Sequence, residues 1–206
     1  MRVSFNEIEM TVLKAARGAG MEWGLAEEAA QCARWLALFD LPWQRAIVAV
    51  LQARDWYGEI VRDKKAIRPV SPNDRLCPIK AGAFLSDLGG DGPGLIERVR
   101  CPMLLLPFAA RLAGLLRLSW KEARIWLDSG RPAVGGDLAD LELSYVDQVT
   151  IEDAACLDQP VLMRRIDPSV DLNLWRQLKM LEARTYVPAS LRSRIGGAGP
   201  TAGDND

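Results

Sequence analysis

Phe5, Ile8, Val12 and Ala16 recur at helical spacing behind Ser4 and Glu7, whose S-x-x-E separation is that of a capping box. The pattern predicts a helix over residues 5–17, stopped by Gly18 and Gly20. Leu25, Ala29, Cys32, Leu36 and Phe39 form a second apolar stripe, and Glu27 and Glu28 stand in its first turn, where the helix dipole favours acids. A third helix is expected from Pro42 through Trp43, Ile47 and Val50 to about Arg54. Residues 55–73 alternate in charge sign and end in Pro and Asn, which reads as a helix extension followed by a solvated connector.

The second half of the chain changes period. In LCPIKAGAFLSDLGG, Pro78 suits the first turn of a short helix and places Cys77 at its N-cap. A Gly-rich loop follows, then IERVRCPMLLLP as a strand entering the core, and a helical stretch from Phe108 to Leu116. LRLSW and RIWLD flank a tight turn and read as a hairpin, in which Trp120 and Trp126 are candidate cross-strand neighbours and an exposed pair for a partner. GRPAVGGD reads as a loop, LELSYVDQVTIE as a strand or strand pair, and VLMRRI as a short strand. A last amphipathic helix over residues 171–183 carries Leu174, Trp175, Leu178 and Leu181 on one face. Helices first, then mostly antiparallel strands, then a helix and a Gly-rich tail make an α+β protein. Its expected organisation is one globular domain over residues 1–194, with a helical part at about 4–68, a mixed part at about 74–183, and a tail at 195–206.

Composition narrows the chemistry more than it names it. The 206 residues contain no histidine, so Ser-His-Asp, Cys-His and HExxH chemistry have no imidazole to use within the chain. Neither G-x-G-x-x-G nor G-x-x-x-x-G-K-[ST] occurs. The formal net charge of -1 provides no global field for nucleic acid or an anionic membrane. The longest apolar runs, 46–51 and 103–110, fall short of the roughly 20 residues that span a bilayer, and no signal-peptide pattern opens the chain. Cys32, Cys77, Cys101 and Cys156 are scattered without a CxxC pair, as expected for reduced thiols in a cytoplasmic protein with no metal site. The acidic run of Asp137, Asp140, Glu142, Asp147, Glu152 and Asp153 reads as a solvated edge. No cofactor is called for.

Two stretches attract attention as sites. Cys77 at a helix N-terminus, near Arg75 and Lys80, has the surroundings that favour a thiolate, with Lys80 and Asp87 available for proton transfer and Glu97 as a further acid. The competing reading is a buried thiol acting as a small hydrophobe. In RTYVPASLRSRIGGAG, Arg184, Tyr186, Ser190, Arg192 and Arg194 beside a glycine run suit a carboxylate or phosphate clamp, against the alternative of a helix cap and a solvated basic stretch. The leading expectation is a small-molecule-binding protein or metabolic enzyme acting on an anionic ligand held between these stretches. The alternative is a non-catalytic interaction protein, as a homodimer or as another enzyme's partner.

MRVSFNEIE, RGAGMEWGLAEEAA with RWLA, the central LCPIKAGAFLSD, MLLLPFAAR, and RTYVPAS with GAG and DND together resemble a bacterial family of short proteins known only as a domain of unknown function. The resemblance runs over nearly the whole chain and implies a self-contained protein. It brings no reaction, cofactor or catalytic residue. LPWQ after Asp40 departs from the Gly-containing turn typical there. Because DND looks like part of the family pattern, the tail is expected to dock near residues 76–88, in its own chain or a second subunit.

Overall fold

A computed structural model describes residues 1–88 and 94–186 of the chain. The described helices are α1 (Phe5–Gly18), α2 (Trp23–Leu38), α3 (Trp43–Ala53), α4 (Pro78–Leu88), the short α5 (Leu106–Ala109) and α6 (Leu172–Glu182). Among the described residues, seven strands form one sheet: β1 (Ile60–Asp63), β2 (Ala66–Pro69), β3 (Leu95–Arg100), β4 (Leu115–Trp120), β5 (Ala123–Asp128), β6 (Arg131–Gly136) and β7 (Tyr145–Asp153). Their order is β1-β2-β3-β7-β4-β5-β6, antiparallel throughout except for β2 beside β3. The class is α+β.

The N-terminal helices form where the apolar stripes require them. Ser4 Oγ accepts the Glu7 amide at 3.0 Å, and Ile8, Val12, Ala15 and Ala16 are buried behind it. α1 packs on α2 and α6, and at Gly18 its backbone meets α6 so closely that a Cβ would lie 1.9 Å from the Leu181 carbonyl oxygen. α4 and α5 link the helices to the sheet: both touch α2, and α4 rests on β3. At Gly82 a Cβ would sit 2.2 Å from the Phe108 ring, so the missing side chain sets how near α4 lies to α5.

Several expectations from sequence are corrected. Residues 55–73 are no solvated connector. After a 3-10 turn at Asp55–Tyr57 they form the β1–β2 hairpin, turning at Lys64 with φ 55°. β1 is an edge strand with one half-buried and three exposed residues, so charge masks its pattern. The strand expected over 95–106 ends at Arg100. Cys101 takes φ 44°, and Pro102, lacking an amide proton, opens a 3-10 turn that leads into α5. The helix expected from Phe108 to Leu116 stops at Ala109, and a turn over residues 110–114, ending at Gly114 with φ 93°, leads into β4. GRPAVGG is not a loop but the edge strand β6, where Pro132 is tolerated. VLMRRI makes only one bridge, Ala133 to Val161, and leaves Met163 and Ile166 exposed. Trp120 and Trp126 face Ala123 and Arg117 rather than each other, and both are buried.

The contact of Gly82 with Phe108 yields a direct test. Gly82→Ala is expected to lower stability by about 1–3 kcal/mol through overpacking. An unchanged urea midpoint would show that α4 does not depend on this close approach.

Candidate functional site

The segment before α4 lies along β3: the Leu76 amide donates to the Arg98 carbonyl at 2.8 Å, and the Arg100 amide donates to the Leu76 carbonyl at 3.1 Å. This sets Cys77 at the start of α4, where its sulfur receives the Ile79 and Lys80 amides. Cys77 is 1% exposed, and burial pushes its thiol up to about 11 despite those two amides. The sulfur thus caps the helix from inside the core. Lys80 Nζ donates to the carbonyls of Trp56 and Gly58, at 3.1 and 2.8 Å. Lys80 and Asp87, two helical turns apart, share a cleft of about 440 Å³ with Leu25, Glu59, Ile60, Ala83 and Phe84. Cys77 does not line that cleft.

The second predicted stretch is described only as far as Tyr186; Ser190, Arg192, Arg194 and the tail 195–206 lie outside the described residues. Arg184 sits in a 3-10 turn, Ala183–Thr185, against α1 at Gly18. Tyr186 donates its hydroxyl to Glu182 Oε1 at 2.5 Å. Glu182, 3% exposed, also holds Lys14 at 3.4 Å and Lys179 at 2.8 Å. Burial raises its carboxyl, but hydrogen bonds from Lys179 and Tyr186 and the lysine charges outweigh that, leaving it below the ordinary value. Arg184 and Tyr186 therefore belong to the joint between α6 and α1, whereas Lys80 and Asp87 share the α4 cleft.

A different group of side chains meets at the rim where α4 begins. Arg75 lies 4.5 Å above the Tyr145 ring. Arg100 is paired with Tyr145 across the β3–β7 ladder, and its Nε donates to Asp55 Oδ2 at 2.5 Å. Arg98, at φ 57°, donates from Nε to the Asp74 carbonyl at 3.0 Å. The ladder joins Glu97 to Gln148 and Val99 to Val146 but skips the position of Arg98 and Asp147. Tyr145 gives its hydroxyl to Asp147 Oδ1 at 2.8 Å. Its phenol lies above the ordinary value, raised by burial and by Asp147, while Arg98 and Arg75 pull it down. Among the described residues, neither Arg75 nor Arg98 has a carboxylate within ion-pair distance. Sequence reading passed over Arg98, Arg100 and Tyr145, because only the β3–β7 register and the left-handed turn at Arg98 bring them together.

Among the described residues, no three Cys, Asp or Glu side chains are placed to hold a metal ion, and no helix is long and apolar enough to cross a membrane. Residues 3–81 match the model of a family described as Protein of unknown function (DUF3726). The match takes in α1 to α3, the β1–β2 hairpin, Arg75, Cys77 and the opening of α4, and with them RGAGMEWGLAEEAA, RWLA and parts of MRVSFNEIE and LCPIKAGAFLSD. No curated protein and no solved structure matches the chain.

Two measurements test this geometry. Iodoacetamide at pH 8 is expected to label exposed Cys156 and spare Cys77, so Cys156→Ser should abolish labelling of the folded protein. Modified Cys77 in a peptide map would contradict its burial. The depressed Glu182 carboxyl contributes stability that is present above the unfolded carboxyl value of about 4.3 and is lost as pH falls through the lower folded value. Glu182→Gln should therefore cost about 1–3 kcal/mol at pH 7. The gap to wild type should narrow below about pH 4; a gap independent of pH would remove the linkage.

Proposed function

We propose that the protein binds a small anionic molecule, a carboxylate or a phosphate, on the rim formed by Arg75, Arg98 and Tyr145. The observation that carries this reading is Arg75 stacked on the Tyr145 ring at 4.5 Å, with the Arg98 charge also acting on that phenol, neither guanidinium having a carboxylate within ion-pair distance among the described residues. Arg100 differs, being already neutralised by Asp55. Stacking on the ring orients the Arg75 fork, and the bond to the Asp74 carbonyl orients that of Arg98. Both forks keep donors for an anion, each charge-assisted bond being worth about 1.5–3 kcal/mol. The reading is one of binding: the buried Cys77 thiol and the carbonyl-bound Lys80 ammonium supply no nucleophile at this rim.

Calorimetry with inorganic phosphate and with acetate at low ionic strength tests it. Arg75→Ala and Arg98→Ala should each weaken binding at least about tenfold, one charge-assisted bond. Arg192→Ala should leave it unchanged. Binding that is absent in the wild type, or is lost only in Arg192→Ala, would overturn the assignment.

A second reading, a surface for a second copy or another protein, is favoured by Trp23 and Tyr57. These are 59% and 64% exposed, and Tyr57 donates to the Gly20 carbonyl of the α1–α2 turn at 3.2 Å. Light scattering across a dilution series should then show a dimer that Trp23→Ala dissociates; a monomer at all concentrations removes the self-association form of this reading.

A further inference from the structure

Asp147 belongs to two places at once. Its Oδ1 accepts the Tyr145 hydroxyl beneath Arg75, and it also lines an adjoining groove of about 290 Å³ with Ser119, Lys121, Gln148 and Thr150. The groove lies between β4 and β7, whose register sets Ser119 opposite Thr150. Trp120 and Val146, both buried, close its base. Lys121, at φ 49° in the β4–β5 turn, also lines it, and Asp147 joins it to Tyr145 of the arginine rim. The four residues of β7 from Tyr145 to Gln148 span three rises, about 10 Å, the length of a compact organic acid.

We infer that the anion site continues into this groove, and that its ligand is a small hydroxylated or amide-bearing acid rather than a bare anion or an apolar one. The inference rests on the anion-binding reading of the arginine rim. Two hydroxyls, one amide and one ammonium line the groove, and an apolar body would strip their water without replacing the hydrogen bonds. Asp147 sets the order of groups along the ligand. Its carboxylate repels a second anionic group beside it, so the ligand's charge sits at the arginine rim. The groove's volume, about 290 Å³ and just below the roughly 300–1,000 Å³ range of small-molecule sites, keeps the ligand small.

Isothermal titration with gluconate, hexanoate and acetate separates the two claims. Gluconate should bind wild type at least tenfold more tightly than hexanoate or acetate. Gln148→Ala and Thr150→Val, both at the open groove, should reduce that advantage severalfold while acetate binding stays as it was. Arg75→Ala should weaken all three acids. If gluconate binds no better than acetate or hexanoate, or if its advantage survives both groove variants, the extended site is overturned while Arg75-dependent acetate binding keeps the anion reading standing. If no acid shows Arg75-dependent binding, both fail together.

Discussion

The absence of a side chain at Gly82 lets α4 settle on Phe108, and the arrangement around the candidate site depends on that contact. α4 is the element that joins the helical layer to the sheet, touching α2 and α5 on one side and β3 on the other. With α4 held there, Leu76 pairs with Val99 and the two backbone bonds to β3 close. Arg75, one residue earlier, is thereby carried over Tyr145. A packing requirement inside the core thus sets the position of an exposed charge, and rigid placement is what allows a guanidinium to bind an anion without first being ordered.

β3 is the second constraint. It is shared by the parallel β2, the antiparallel β7 and the chain entering α4. At Arg98 the backbone enters the left-handed region, which costs a non-glycine residue about 1–2 kcal/mol. Val99 stays buried, Arg100 pairs with Tyr145, and the Arg98 guanidinium is held by the Asp74 carbonyl. Strain of this kind persists where surrounding structure fixes it and is concentrated at binding sites. Here it sits where two cations lack carboxylate partners and where the β3–β7 ladder opens opposite Asp147.

Much of the architecture is legible in the sequence because burial writes periodic patterns. The stripes of α1, α2 and α6 and the β4–β5 hairpin all stand near their expected places, and Cys77 does stand at the start of α4. The edge strand β1 is hidden by its exposed residues and β6 by its proline and glycines, and α5 ends at Ala109 inside an apolar run that does not mark the turn. For the site, sequence proximity was a poor guide. Lys80 and Asp87 share a cleft, but Cys77 turns into the core and Tyr186 binds Glu182 in the joint between α6 and α1. Arg75, Arg98 and Tyr145 are joined by strand register across long separations, which no local motif records.

The rim where α4 meets β3 therefore combines a fixed framework with two arginines that have no carboxylate within ion-pair distance among the described residues, although the whole chain is nearly neutral. The central claim is that Arg75 and Arg98 act together on one anion. The most direct measurement is an NMR titration of the arginine Nε–Hε resonances with inorganic phosphate at low salt. The account predicts that Arg75 and Arg98 shift together along one saturating curve, with the Tyr145 ring responding at the same midpoint and Arg100 moving little. Independent, non-saturating shifts, or the main response at other arginines, would contradict it.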